Sequence, residues 1–287
     1  MSRPEKDIPQ NISASAAAPA EASRSSTNQI RQPEISQPAP TLRRIMAHGT
    51  YETRNVLRNG EQLLVSLILP LLVLIGAHRL GLVASENWAG SSVPSIDVVT
   101  PGVIALAVMA SAFTGQGIAT GFERQYGVLA YLATTPLGPA GLILGKAMAV
   151  LCVVLIQLLV LGVAGLILGW APQPAGLLWL GAAVVVGATA FTALGLLLAG
   201  TVRADATLAL TNILWVLMGA AGGTVFPISR ELLDGAGTLL ILLPSAALGE
   251  SLRTATIEGA LTPVPFLILA GWAVLAILAA RRWFQWR

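Results

Sequence analysis

Four polar side chains interrupt long apolar runs of this sequence: Gln116, Gln157, Thr192 and Asn212. Such amides and hydroxyls can line the path of a small molecule. They can equally bond a neighbouring helix, a contact worth roughly 0.6–2 kcal/mol in a membrane. No acid–base pair accompanies them at depth, so catalysis within the spans has no obvious residues and no catalytic residue is assigned. One cysteine, Cys152, and two histidines, His48 and His78, exclude an internal disulfide, a cysteine-built metal site and a histidine-rich zinc site. No metal ligand set is expected. "GPAGLILGKA" approaches a phosphate-binding loop, but Ala140 stands where its first glycine is required. Ala147 replaces the hydroxyl that would hold Mg²⁺.

A second group is denser. "GFERQYGVLAYLATTPLG", residues 121–138, brings Glu123, Arg124 and Gln125 to the surface between two greasy stretches. Read as a helix, it places Phe122, Tyr126, Leu129 and Ala133 on one stripe, widened by Val128 and Leu132. Thr135 precedes Pro136, and a residue before proline is pushed out of the helical region, which ends the helix there. The spacing predicts a short amphipathic helix that either rests on lipid or docks another protein.

These residues must be positioned by a membrane fold. The 287-residue chain is 55% hydrophobic and 11% charged, where a soluble domain is about a quarter charged. About 20 apolar residues cross a bilayer core. Six stretches are expected to do so: 63–82, 98–120, 142–170, 177–200, 208–226 and 264–280. A cytoplasmic N-terminus puts Arg43, Arg44, Arg54, Arg58, Arg124, Lys146, Arg203, Arg281, Arg282 and Arg287 on the inner side. It leaves Arg79, Arg230 and Arg253 outside alongside Glu86, Asp97, Glu231, Asp234, Glu250 and Glu258, so both termini are expected inside. Trp88, Trp170 and Trp179 then mark the outer interface, Trp283 and Trp286 the inner one, while Trp215 and Trp272 pack deeper. Lys146 and the His78-Arg79 pair lie near span ends, where side chains can snorkel. Gly117–Gly121, Gly165–Gly169 and Gly219–Gly223 are small-residue pairs that suit close helix packing.

Residues 1–40 are rich in Ser, Ala, Pro and Gln and are expected to form a disordered cytoplasmic tail. Residues 41–60 read as an interfacial amphipathic helix with Leu42, Ile45, Met46, Val56 and Leu57 among arginines, and Asn59-Gly60 turns the chain into the bilayer. Residues 61–287 form the membrane domain. On its outer side "TLLILLP" is too short to span and reads as a re-entrant or interfacial element. Pro244 and Gly249 in the following "LPSAALGESL" would let the chain turn back.

Two stretches carry a family resemblance. "FERQYGVLAYLATTPLGPAGLILGKAMAVLCVVLIQ" and "ALGLLLAGTVRADATLALTNILWVLMGAAGGTVFPI", the latter followed by "LLPSAALGESLR", resemble the permease subunits of type-2 ATP-binding-cassette exporters. The resemblance covers roughly residues 42–282. Val128 stands where that family often has Thr, and Gly222-Gly223 where Ser-Gly is common. The resemblance implies an all-α integral membrane protein of six transmembrane helices, with an N-terminal interfacial helix, a cytoplasmic coupling helix and an outer re-entrant segment. It makes residues 121–135 the coupling helix, with Phe122, Glu123, Arg124, Tyr126, Gly127, Leu129, Leu132, Thr135 and Pro136 facing a separate ATPase. It implies a dimer of permeases, identical or homologous, in the plasma membrane, moving a drug-like metabolite or lipid outward, with a glycan or haem as other cargoes. ATP and Mg²⁺ would sit on the ATPase; this chain itself would carry no cofactor, no enzymatic activity and no nucleic-acid partner. A membrane scaffold recruiting a non-ATPase protein is the reading from another class.

Overall fold

The computed structural model describes residues 39–82, 86–88, 91–226 and 236–284. The tail through residue 38, the stretch 227–235 and Trp286 lie outside the described residues.

Helix α1 (Thr41–Arg58) follows Pro40 and carries no acid in its first turn. Its sequence is amphipathic, but the side that meets protein is built from small and polar residues. Gly49 and Glu52 are buried, while Leu42, Met46 and Leu57 are exposed. That face lies on the start of α6 (Gly138–Ile167). Gly49 has Met148 against it and Gly145 has His48 against it, so a side chain at either glycine would push the helices apart. Leu42, Met46 and Leu57 remain outward, where lipid would cover them, while Ile45 and Val56 are half-buried.

Helix α2 (Gly60–Arg79) follows directly. Among the described residues five helical segments are long and apolar enough to cross a membrane: 95–125, 141–167, 174–201, 204–221 and 263–283. The sixth expected span corresponds to α2, whose apolar part is only Ser66–Arg79. At 1.5 Å per residue that run covers about 21 Å of a core about 30 Å thick. The polar residues Glu61 and Gln62 at one end, and His78 and Arg79 at the other, shorten it.

A two-stranded ribbon, β1 (Glu86–Trp88) antiparallel to β2 (Ser91–Val93), leads to the central helix. This is α3 (Ser95–Met109), a π-helical turn (Ala110–Gly115) and α4 (Gln116–Gln125) in one unbroken run. It is the most buried of the spanning segments, and every residue of α3 from Val98 to Met109 is buried. Its Asp97 carboxylate accepts a hydrogen bond from the Ala171 backbone at 2.9 Å, which pins the end of α6 beside it. Around this axis pack α6, α7 (Leu177–Thr201), α8 (Ala204–Ala221) and α9 (Pro244–Glu258), with α10 (Pro263–Trp283) against α7 and α9.

The segment expected on the outer side departs from its expected course. A 3₁₀ helix (Ala236–Leu242) holds the short apolar run, and Trp272 donates to the Leu242 carbonyl at 2.7 Å. Pro244 then starts α9 and Gly249 lies within it, so the chain does not turn back there. Proline is tolerated in a first helical turn because its missing N–H would be unbonded anyway. The turn comes at Gly259, in the left-handed region at φ 70°. Two of the paired glycines are also corrected: Gly169 and Gly223 have positive φ and end helices, whereas Gly117 and Gly121 pack on Thr211 and Thr207 of α8.

Candidate functional site

The patterned stretch forms two helices. α4 ends at Gln125, and α5 runs Val128–Ala133 after a left-handed Gly127 at φ 75°. A residue with a Cβ resists that conformation, so glycine sets the break. The expected single stripe is thereby divided. Leu129 turns inward and is fully buried, while Tyr126 and Tyr131 are 75% and 72% exposed. Phe122 stacks on Tyr126 with ring centroids 6.2 Å apart. Leu132 and Thr135 are half-buried and Pro136 is exposed. The end falls near the expected proline: the Thr134 and Thr135 hydroxyls donate back to the Tyr131 and Leu132 carbonyls at 2.7 and 2.6 Å.

The charged residues of this stretch are engaged within the chain. Arg124 donates from one guanidinium nitrogen to the Ala199 carbonyl at 2.9 Å and from the other to Val202 at 2.8 Å. These carbonyls lie at the C-terminal end of α7, where backbone acceptors lack helical partners and the helix dipole favours a cation. Glu123 lies on the other side. Its carboxylate oxygens are 2.7 and 2.9 Å from the Lys146 ammonium, and Glu52 of α1 is 3.2 Å from the same nitrogen. Lys146 has no exposed surface, so it does not snorkel to the interface. Its position about two turns into α6 places it under α1, which covers it.

His48 completes the cluster, 3.4 Å from Glu52. Burial holds this imidazole below its usual value of 6.5; Glu52 opposes that shift and Lys146 adds to it. Arg44 of α1 donates to the Pro136 carbonyl just beyond α5. Three elements far apart in sequence therefore meet at one ammonium, and the exposed tyrosines project from that junction. Sequence reading missed this cluster because its partners are separated by dozens of residues. A glutamate and a lysine flanked by small residues were its only local signal.

The four candidate path residues separate. Gln116 and Asn212 line a cavity of about 530 Å³ between α2, the π turn, α4, α6 and α8. Gln157 is buried behind it, donating to the Ser66 carbonyl at 2.9 Å and the Ser111 hydroxyl at 2.8 Å, both residues of the wall. Gln157 is a helix-to-helix bond. Thr192 is buried in α7 away from the cavity. Trp215 joins the wall, its indole nitrogen 3.5 Å from the Leu106 carbonyl.

At the other end of the bundle, Arg253 of α9 is buried and donates to the Gly223 and Thr224 carbonyls, the former at 2.7 Å. The sequence had placed this arginine on the outside with the loop acids; Glu250 does approach it, at 3.7 Å. Those carbonyls belong to the turn that follows α8, outside any helical ladder, and the guanidinium supplies their donors. Among the described residues no group of His, Cys, Asp and Glu is arranged to hold a metal ion.

A bundle of spanning helices around a lateral cavity, with a charged junction at one end, is the architecture of a multi-pass membrane transporter component. The chain belongs to the ABC-2 type transporter family, whose model matches residues 43–234. Permeases of this family normally pair with an ATP-binding-cassette ATPase. No curated protein matches the chain.

Proposed function

We propose that this chain is the permease subunit of an ATP-driven exporter, working as a pair of permeases with two ATPase subunits. The observation that carries this reading is the exposed Tyr126–Tyr131 turn rooted in a buried ionic junction. Two exposed aromatic rings on a short helix pair offer an anchor for a protein cleft, since aromatic side chains supply much contact area at little entropic cost. The root of that anchor touches α1, α6 and α7 through Glu123, Lys146 and Arg124. A push on the turn therefore reaches three elements of the bundle.

In this reading the turn faces the cytoplasm and the ATPase seats on it. Closure of two ATPase subunits around ATP favours one of two helix packings, and the cavity beside Gln116 and Asn212 opens toward the outside. Cargo is a hydrophobic or amphipathic compound, because the wall is mostly apolar. Both termini are cytoplasmic and the membrane is the plasma membrane.

Leu129 is buried, so a charge there would damage folding; the docking variants belong at the exposed rings. The pair Tyr126→Asp and Tyr131→Asp is expected to leave insertion and thermal stability unchanged and to lose the co-purifying ATPase. Retention of the ATPase at unchanged stoichiometry contradicts the docking surface and favours a scaffold with another partner.

A further inference from the structure

Helix α1 carries its charges on two different sides. Glu52 is its only acid, and it is buried against Lys146 with His48 beside it. Tyr51, Arg54, Asn55 and Arg58 follow an i, i+3, i+4, i+7 spacing, which stacks them on one face. All four are exposed, and together they line a recess of about 200 Å³. Arginines elsewhere are engaged: Arg44, Arg124 and Arg253 each donate to backbone carbonyls. Among the described residues neither Arg54 nor Arg58 donates a hydrogen bond or pairs with an acid. Two guanidinium groups, a phenol and an amide around one recess are a donor set suited to a phosphate.

The depth of the recess follows from α6. Met148 packs against Gly49, two residues before Tyr51, and the spanning run of α6 ends at Ile167. From Met148 to Ile167 the helix rises about 29 Å, close to the thickness of a hydrocarbon core. Gly49 therefore lies near the boundary between hydrocarbon and headgroups. Val56 shares the larger cavity with Val150 and Val153 of α6, so the last turns of α1 go only slightly deeper. Cα–Cβ bonds tilt toward a helix N-terminus, so Arg54 and Arg58 lean back toward the headgroups, and their length carries the guanidinium there. Leu42, Met46 and Leu57 are exposed on a neighbouring face. An apolar flank beside a basic one suits a helix that lies against lipid.

We infer that Tyr51, Arg54, Asn55 and Arg58 bind the phosphate of an anionic phospholipid, and that this headgroup holds α1 on the Lys146 junction. Glu52 lies in the same two turns as the recess, 3.2 Å from the Lys146 ammonium, so α1 cannot lift from Lys146 without drawing the recess off its headgroup. A zwitterionic lipid is disfavoured, because its choline or ethanolamine brings a cation toward the two guanidinium groups. Such a site needs only the membrane fold and is independent of an ATPase.

Native mass spectrometry of the full chain in mixed phosphatidylglycerol–phosphatidylcholine micelles tests this. The first retained lipid is expected to be phosphatidylglycerol by about thirtyfold, the preference two arginines supply at an anionic surface. Arg54→Gln with Arg58→Gln should bring the preference close to one, and either substitution alone should lower it about fivefold if the double variant does not fold. Arg281→Gln with Arg282→Gln removes the same charge from exposed positions at the end of α10 and should leave the preference intact. Hydrogen exchange across residues 48–56 should slow severalfold when phosphatidylglycerol replaces phosphatidylcholine, and not in the Arg54/Arg58 variant. An equal loss in the Arg281/Arg282 variant would reduce the site to diffuse charge and overturn it. Displacement of the lipid by millimolar inorganic phosphate would make the ligand a free anion. Loss of a bound second copy or ATPase from the Arg54/Arg58 variant, with its lipid preference intact, would make the recess a protein contact. Either result overturns the inference, and so does exchange in α1 that ignores the lipid.

Discussion

The two ends of this bundle are held together by different physics. At the end bearing α1, α4 and α5, helices are joined through side chains: Glu52, Glu123 and His48 around Lys146, and Arg124 reaching the end of α7. At the other end the joints are backbone contacts. Arg253 bonds two carbonyls, while Gly102, Gly176 and Gly222 let chains approach so closely that a Cβ would strike the Thr224 carbonyl, the Ala255 carbonyl and the Ser245 hydroxyl. A junction of ion pairs on long side chains can exchange partners as helices shift. A junction of glycine against carbonyl cannot, since it lacks any side chain to reposition. Movement should therefore be concentrated at the charged end, with the glycine end acting as a fixed hinge.

The largest effect that can break this comparison is at Lys146. Lys146→Met leaves two carboxylates facing each other in a buried site, and removing one partner of a buried pair costs about 3–5 kcal/mol. Thermal unfolding in detergent should fall steeply, and Glu52→Gln with Glu123→Gln should restore much of the loss by removing the stranded charges. No recovery in the triple variant would mean that the ammonium is needed for packing and not for charge balance.

Arg253→Leu comes next. It strips the Gly223 and Thr224 carbonyls of their donor, a loss of about 2–3 kcal/mol for bonds to a charged group. Unlike Lys146→Met, it should not be rescued by neutralising Glu250, because its partners are backbone. Gly176→Ala should cost about 1–3 kcal/mol through crowding of the Ala255 carbonyl. Hydrogen exchange should show loosening confined to α7, α9 and the 3₁₀ turn Pro174–Gly176.

The smallest effect is a pH dependence. Burial lowers the His48 pKa in the folded protein, so the unfolded chain binds its proton more readily. The stabilisation is complete above the unfolded value near 6.5 and is lost as pH falls through the lowered folded value. Wild-type protein should therefore lose more stability than His48→Leu between about pH 7.5 and 5.5. Equal slopes would remove His48 from the cluster.

Much of this was legible in the sequence, for reasons that separate cleanly. Apolar length and the "FERQYG" and "LGK" stretches disclosed the membrane fold and the family, because both are properties of consecutive residues. The end of α1 at Asn59-Gly60 and the end of α5 before Pro136 followed from turn and proline chemistry. The division at Gly127 did not, since a glycine within an apolar stripe reads as a weak helix residue until its φ is known. Lys146 was read as a surface group because its two acids arrive from other helices. The π turn has no sequence signature. Gln157 and Gln116 are both glutamines in apolar runs; only the fold shows that one bonds helices while the other faces the cavity.

The central claim is that the Tyr126–Tyr131 turn is where an ATPase drives this permease. It is tested most directly by placing a photo-crosslinking amino acid at Tyr126, with a second chain carrying it at the exposed Leu166 on α6 as the membrane-facing comparison. Irradiation of native membranes followed by mass spectrometry should join position 126 to a protein with a phosphate-binding loop, and position 166 to no such protein. Adducts at 126 with lipid alone, or with a protein that lacks a nucleotide site, would contradict the account.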